Sequence, residues 1–151
     1  MPEANTAMLI RRPVSDVFQS FVDPAQITKF WFTDATGPLA PGARVTWTWA
    51  MYGVSSGVVV REFVENERIA FSWGDDDPSS VEWTFQELEP GQTFVEIRNF
   101  GFGGTSDEQV AAALDSTGGF ALVLAGAKAW LEHGLQLNLV GDRFPPAVGH
   151  D

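Results

Sequence analysis

Five short segments between Ala43 and Phe100 carry the signature of strands, and no helical period interrupts them. A two-residue period sends alternate side chains to opposite faces of a sheet. Val45, Trp47 and Trp49 therefore share a face, as do Ile69, Phe71 and Trp73, then Val81, Trp83 and Phe85, and finally Val95, Ile97 and Asn99. The opposite positions hold residues such as Arg44, Thr46, Thr48, Glu82, Thr84 and Gln86. Gly57 to Val64 is the remaining segment, rich in β-branched residues. Glu65-Asn66-Glu67 and Pro90-Gly91 are short enough to pair their flanking strands antiparallel, and Gly74 to Ser80 reads as a longer hairpin loop. A sheet with one aromatic face needs a cover.

The rest of the chain supplies that cover. Phe120, Val123, Leu124, Ala127, Trp130 and Leu131 recur at spacings of three and four, which predicts a helix over 120–133 that stops at Gly134. Such a helix of about 14 residues is roughly 21 Å long. Ser106-Asp107-Glu108-Gln109 reads as a capping box opening an earlier helical piece, which Gly118-Gly119 is expected to interrupt or end. Upstream, Thr6 to Arg11 reads as a strand, and Ser15 to Val22 as a helix carrying Val17, Phe18 and Phe21. A second short helix starts with Asp23 as N-cap, Pro24 in the first turn and Gln26 completing a box, and carries Ile27, Phe30 and Trp31. The order β-α-α-β5-α predicts an α+β fold, a curved antiparallel sheet of about six strands around a long C-terminal helix. One domain is expected over 1–151, with its core at about 6–134 and a frayed tail at 135–151.

Charge and composition exclude several functions. Twenty acidic and 9 basic side chains leave a net charge of −11, with no basic stripe, so neither nucleic acid nor an anionic membrane is an expected partner. There is no Cys, which removes disulfides, thiolate nucleophiles and iron–sulfur clusters. His133 and His150 alone do not make a metal site, and Asp75-Asp76-Asp77 lacks the spacing of a calcium loop. No metal, cofactor or catalytic residue is expected. The opening residues lack a signal-peptide stretch, and no run of about 20 apolar residues predicts a membrane helix, so a cytoplasmic protein is the expectation.

The stretch from Ile10 to Phe32 resembles the start of the SRPBCC, or START-like helix-grip, superfamily, and within it the branch named after the activator of the heat-shock ATPase. The resemblance rests on Pro13, Val17-Phe18, Asp23-Pro24 and Trp31-Phe32. It continues through Pro41-Gly42, Gly57-Val58-Val59, Glu67-Arg68-Ile69, Val81-x-Trp83-x-Phe85, the Gly91-to-Thr93 turn, Gly119-Phe120 and Leu131-Glu132. Phe120 stands where that branch usually has Trp. The resemblance spans about residues 6–134 and implies a tunnel between sheet and helix. The fold hosts lipid carriers, polyketide cyclases, receptors and co-chaperone domains, so it leaves function open.

On that basis the candidate ligand-binding residues are Trp47, Trp49, Phe71, Trp73, Trp83 and Phe85 on the sheet, and Phe120, Val123, Leu124 and Ala127 on the helix. Gly126 and Ala127 are small and would leave room. Asn99, which offers a donor and an acceptor, and Arg61 are the polar candidates to bind and orient a ligand. Arg61 and Glu62 are adjacent in an apolar strand, so one should point inward unless Arg61 lies solvated at the sheet edge or tunnel mouth. The expected partner is a small apolar molecule. A cyclase or aromatase using the same cavity is an alternative, as is a co-chaperone-like module with a chaperone partner. A homodimer is compatible with the sequence.

Overall fold

The computed structural model describes residues 1–148. Its elements are β1 (Ala4–Ile10), α1 (Val14–Val22), α2 (Pro24–Ile27), β2 (Asp34–Ala35), β3 (Arg44–Trp49), β4 (Val54–Val64), β5 (Arg68–Trp73), β6 (Ser79–Glu89), β7 (Gln92–Phe100), α3 (Ser106–His133) and α4 (Leu139–Asp142). A 3-10 turn at Ala50–Tyr52 joins β3 to β4. The strands form a single antiparallel sheet in the order β1-β7-β6-β5-β4-β3-β2. This is the helix-grip fold, with seven strands rather than six because the pair Asp34–Ala35 adds an edge to β3.

Three expectations for the chain after residue 100 give way. The break at Gly118-Gly119 does not occur: α3 runs unbroken for 28 residues, about 42 Å. The capping box at the start of α3 and the packing of Phe120, Val123 and Leu124 after the glycines outweigh a helix penalty of about 1 kcal/mol each. The capping box sits one residue earlier than expected, with Thr105 accepting from the Glu108 N–H and Glu108 accepting from the Thr105 N–H. The segment after Gly134 is not wholly frayed, since α4 packs back on the body and the Tyr52 hydroxyl donates to the Val140 carbonyl. His150 lies outside the described residues.

The elbow of α1 and α2 decides how the concave face is filled. Asp23 caps α2 by accepting from Ala25 N at 2.9 Å. Gln26 does not close a box with it; its Oε1 accepts from Trp130 Nε1 at 2.9 Å, pinning the elbow to α3. Phe18 and Phe21 then reach the sheet, with ring centroids 5.1 Å from Phe85 and 5.1 Å from Trp83 respectively. Trp31 and Phe32 follow, 5.0 and 4.6 Å from Trp47. Each fully buried ring or aliphatic chain here contributes about 1.5–3 kcal/mol from its removal from water.

By length and composition α3 resembles a membrane-crossing helix, because Gly, Ala, Ser and Thr keep it uncharged without an unbroken apolar run. Its inner face, with Phe120, Val123, Leu124 and Ala127 buried, is instead the core of this fold.

Candidate functional site

The elbow covers only part of the sheet. Toward the C-terminal ends of β5 and β7 no helix of the elbow reaches, and a cavity of about 300 Å³ remains beneath the first half of α3. Trp31, Trp73 and Phe120 make its aromatic wall, with ring centroids 5.4–5.7 Å apart. Phe102 closes one side from the loop after β7, and Ala112 and Gly119 present the helix side without bulk. A second, more open cavity of about 430 Å³ adjoins it, bounded by Trp49, Tyr52, Val54 and Val140. Trp73 and Ser79 line both.

One polar chain crosses the first cavity's wall. Ser116 Oγ donates to Asn99 Oδ1 at 2.8 Å. Asn99 Nδ2 donates to Ser79 Oγ at 2.9 Å and to the Ser80 carbonyl at 2.8 Å. Asn99 is 2% exposed, with both Nδ2 protons donated and Oδ1 accepting from Ser116, so it is not the free handle the sequence suggested. It holds two hydroxyls instead. Ser79 accepts from Asn99 and keeps its own proton to donate, and Ser116 keeps lone pairs to accept. The cavity thus offers a donor and an acceptor on an apolar wall, the usual arrangement for orienting a small molecule. Asp115 stands at its mouth.

Of the residues expected from sequence, Trp49, Trp73, Asn99 and Phe120 line the two cavities. Trp47, Phe71, Trp83, Phe85, Val123, Leu124 and Ala127 lie on the expected inner face but are solid core, because the elbow and α3 pack directly on them. Trp83 is wholly buried between Trp31, Phe21 and Phe71, and its Nε1 has no acceptor. Gly126 makes no room for a ligand: a Cβ there would fall 3.2 Å from Phe30 Cβ, so its smallness admits the end of the elbow.

Arg61 and Glu62 both stay exposed. The register slips between Val60 and Glu62, and this bulge lets Val60 and Phe63 both turn inward while Arg61 lies outside and donates to Ser72 Oγ at 3.2 Å. Arg61 is therefore off the cavity. Glu62 pairs with Arg68 at 3.0 Å. Asp34 begins β2, exposed, and accepts from the Ala35 N–H.

The sequence does not single out Trp31, Ser79, Phe102, Ala112, Asp115, Ser116 or Gly119 for the site. For the four on α3 the signal is the run of small residues opposite an aromatic sheet face, with the Gly pair read as a stop rather than as a wall; Ser79 and Phe102 carry no comparable signal.

Residues 11–132 match the family described as Activator of Hsp90 ATPase homolog 1-like protein. Among solved structures, the chain is similar to protein SSP2350 from Staphylococcus saprophyticus, with a TM-score of 0.75 and 28% identity over 89% of this chain and 95% of that one. The Aha1 dimer from Colwellia psychrerythraea gives a TM-score of 0.74 at 19% identity, covering 89% of this chain and 98% of that one. DynU16, from the dynemicin biosynthetic locus, gives 0.73 at 18% identity, covering 90% of this chain and 49% of that one. The last two likenesses establish a shared fold alone. No curated protein matches the sequence.

Proposed function

The chain belongs to the family of Activator of Hsp90 ATPase homolog 1-like proteins, and from that premise we propose that it binds a small, mostly apolar molecule beneath the first half of α3. The observation that carries this reading is the aromatic-walled cavity with its Ser116–Asn99–Ser79 chain. Removing apolar area from water there supplies roughly 25 cal/mol per Å². The two hydroxyls set orientation. One domain carries this activity, and binding or carriage rather than turnover is its role. Native mass spectrometry of the purified protein, followed by denaturing extraction, tests it. A retained small molecule supports the reading. A clean mass, with no thermal shift against a panel of apolar compounds, overturns it.

A homodimer is a second reading of the surface. Val110 and Leu114 on the outer side of α3 are 47% and 70% exposed, and the similar Colwellia psychrerythraea protein was solved as a dimer. Sedimentation velocity over a range of concentrations tests this: a species at twice the monomer mass supports it, and a monomer throughout removes it.

A further inference from the structure

We propose that the cavity selects a ligand that pairs an aromatic or alicyclic body with a protonated amine, and discriminates against carboxylates such as fatty acids. This rests on the cavity reading above and adds a charge requirement to it. The aromatic wall comes first. Trp73 faces both cavities and stands with Trp31 and Phe120 at the junction. The negative faces of such rings attract a cation within about 6 Å.

The rims come second. Asp115 lines the first cavity and Asp77 the second. Neither carboxylate is in an ion pair among the described residues, where the acidic partners are Glu3, Glu62, Glu82 and Glu132. Asp77 is held over the loop after β7, so close to Gly103 that a Cβ there would fall 2.0 Å from its Oδ2. Among the described residues no Lys, Arg or His lines either cavity. The arginines sit elsewhere, with Arg68 and Arg98 committed to Glu62, Glu82 and Glu3 on the far face of the sheet.

A carboxylate ligand would therefore meet a like charge at the rim of either cavity and no counter-ion, whereas an ammonium would meet a carboxylate in each and the shared Trp73 ring. The donor at Ser79 and the acceptor at Ser116 allow either a hydroxyl or an amine to dock. The two carboxylates and the net charge of −11 decide between them. Both carboxylates are solvated, so the preference is modest: about twofold to fivefold for each, and about tenfold between amine and acid.

The test uses three probes with one body, 2-(1-naphthyl)ethylamine, 2-(1-naphthyl)ethanol and 1-naphthylacetate, titrated calorimetrically into the full chain at pH 7 and low salt. The amine is expected to bind best and the acid worst. The spread should collapse in an Asp77→Asn/Asp115→Asn variant whose melting temperature is unchanged, and should shrink at 0.5 M salt. Equal binding of all three leaves the cavity reading standing and overturns the charge requirement. So does a preference that survives in the double variant. Binding of none of them overturns both.

Discussion

The two halves of α3 are one helix in geometry and two in physics. From Phe120 to His133 the helix is clamped. Phe120, Val123, Leu124, Gly126 and Ala127 are buried. Lys128 donates to the Leu9 carbonyl at 2.6 Å, Glu132 accepts from Arg11 N at 2.8 Å, and Arg12 donates to the Leu131 carbonyl at 2.7 Å. From Ser106 to Gly119 only Ala113 is buried, and among the described residues the one hydrogen bond to the sheet runs from Ser116 to Asn99. The clamped half makes the fold; the open half roofs the cavity. A domain that must both hold a core and admit a ligand can divide the two tasks along one element, because stability is not uniform across a structure.

The sharpest way to break this contrast is Leu124→Ala. Leu124 is 0% exposed under the clamped half, and its truncation should cost about 3 kcal/mol in chemical denaturation, in the 2–5 kcal/mol range of buried leucines. A loss under 1 kcal/mol would mean the clamped half is not the core. Gly119→Leu addresses the other half. A Cβ at Gly119 meets nothing within 4 Å, and the residue lines the cavity. The variant should gain roughly 0.5–1 kcal/mol from helix propensity while filling the cavity and weakening naphthyl-probe binding about tenfold or more. Stability gained together with binding unchanged would place the ligand elsewhere.

That pair of variants also marks where sequence reading stops. Alternation in β3, β5, β6 and β7 is a local property set by the pleat, so Trp47, Phe71, Trp83 and Phe85 were legible as inward-facing. Which inward residues stay uncovered depends on where α1 and α2 land, and that is fixed by contacts more than 60 residues apart in the chain, such as Phe21 to Trp83. The bulge after Val60 and the unbroken run through Gly118-Gly119 are likewise tertiary outcomes. Periodicity sees a face; it does not see how much of that face a distant helix covers.

Acid should loosen the clamped half. Burial pushes the Glu132 carboxyl up, but bonds from the Lys128 ammonium and the Arg11 N–H outweigh it and hold the group below its ordinary value of 4.5. A folded-state value below the unfolded one means the contribution is complete above about pH 4.5 and is lost as the pH falls through the folded value. Glu132→Gln should therefore be less stable than the parent at pH 7, and the gap should narrow by pH 3. Denaturation midpoints at the two pH values check this; a gap that stays constant would show that the charge of Glu132 is not what ties α3 to β1.

Leu114→Ala should do the least, and that is its use. At 70% exposure its side chain loses little apolar burial, and Ala is the better helix former, so the two terms nearly cancel to within about 0.5 kcal/mol. Leucine and alanine differ little in helix propensity, whereas the buried Leu124 adds transfer and cavity terms to the same chemical change. The same substitution ten residues apart on one helix then separates burial from propensity with chain identity held constant. A cost at Leu114 above about 1 kcal/mol, growing with protein concentration, would mean that the open half is covered by a second copy and that its exposure belongs to the isolated chain alone.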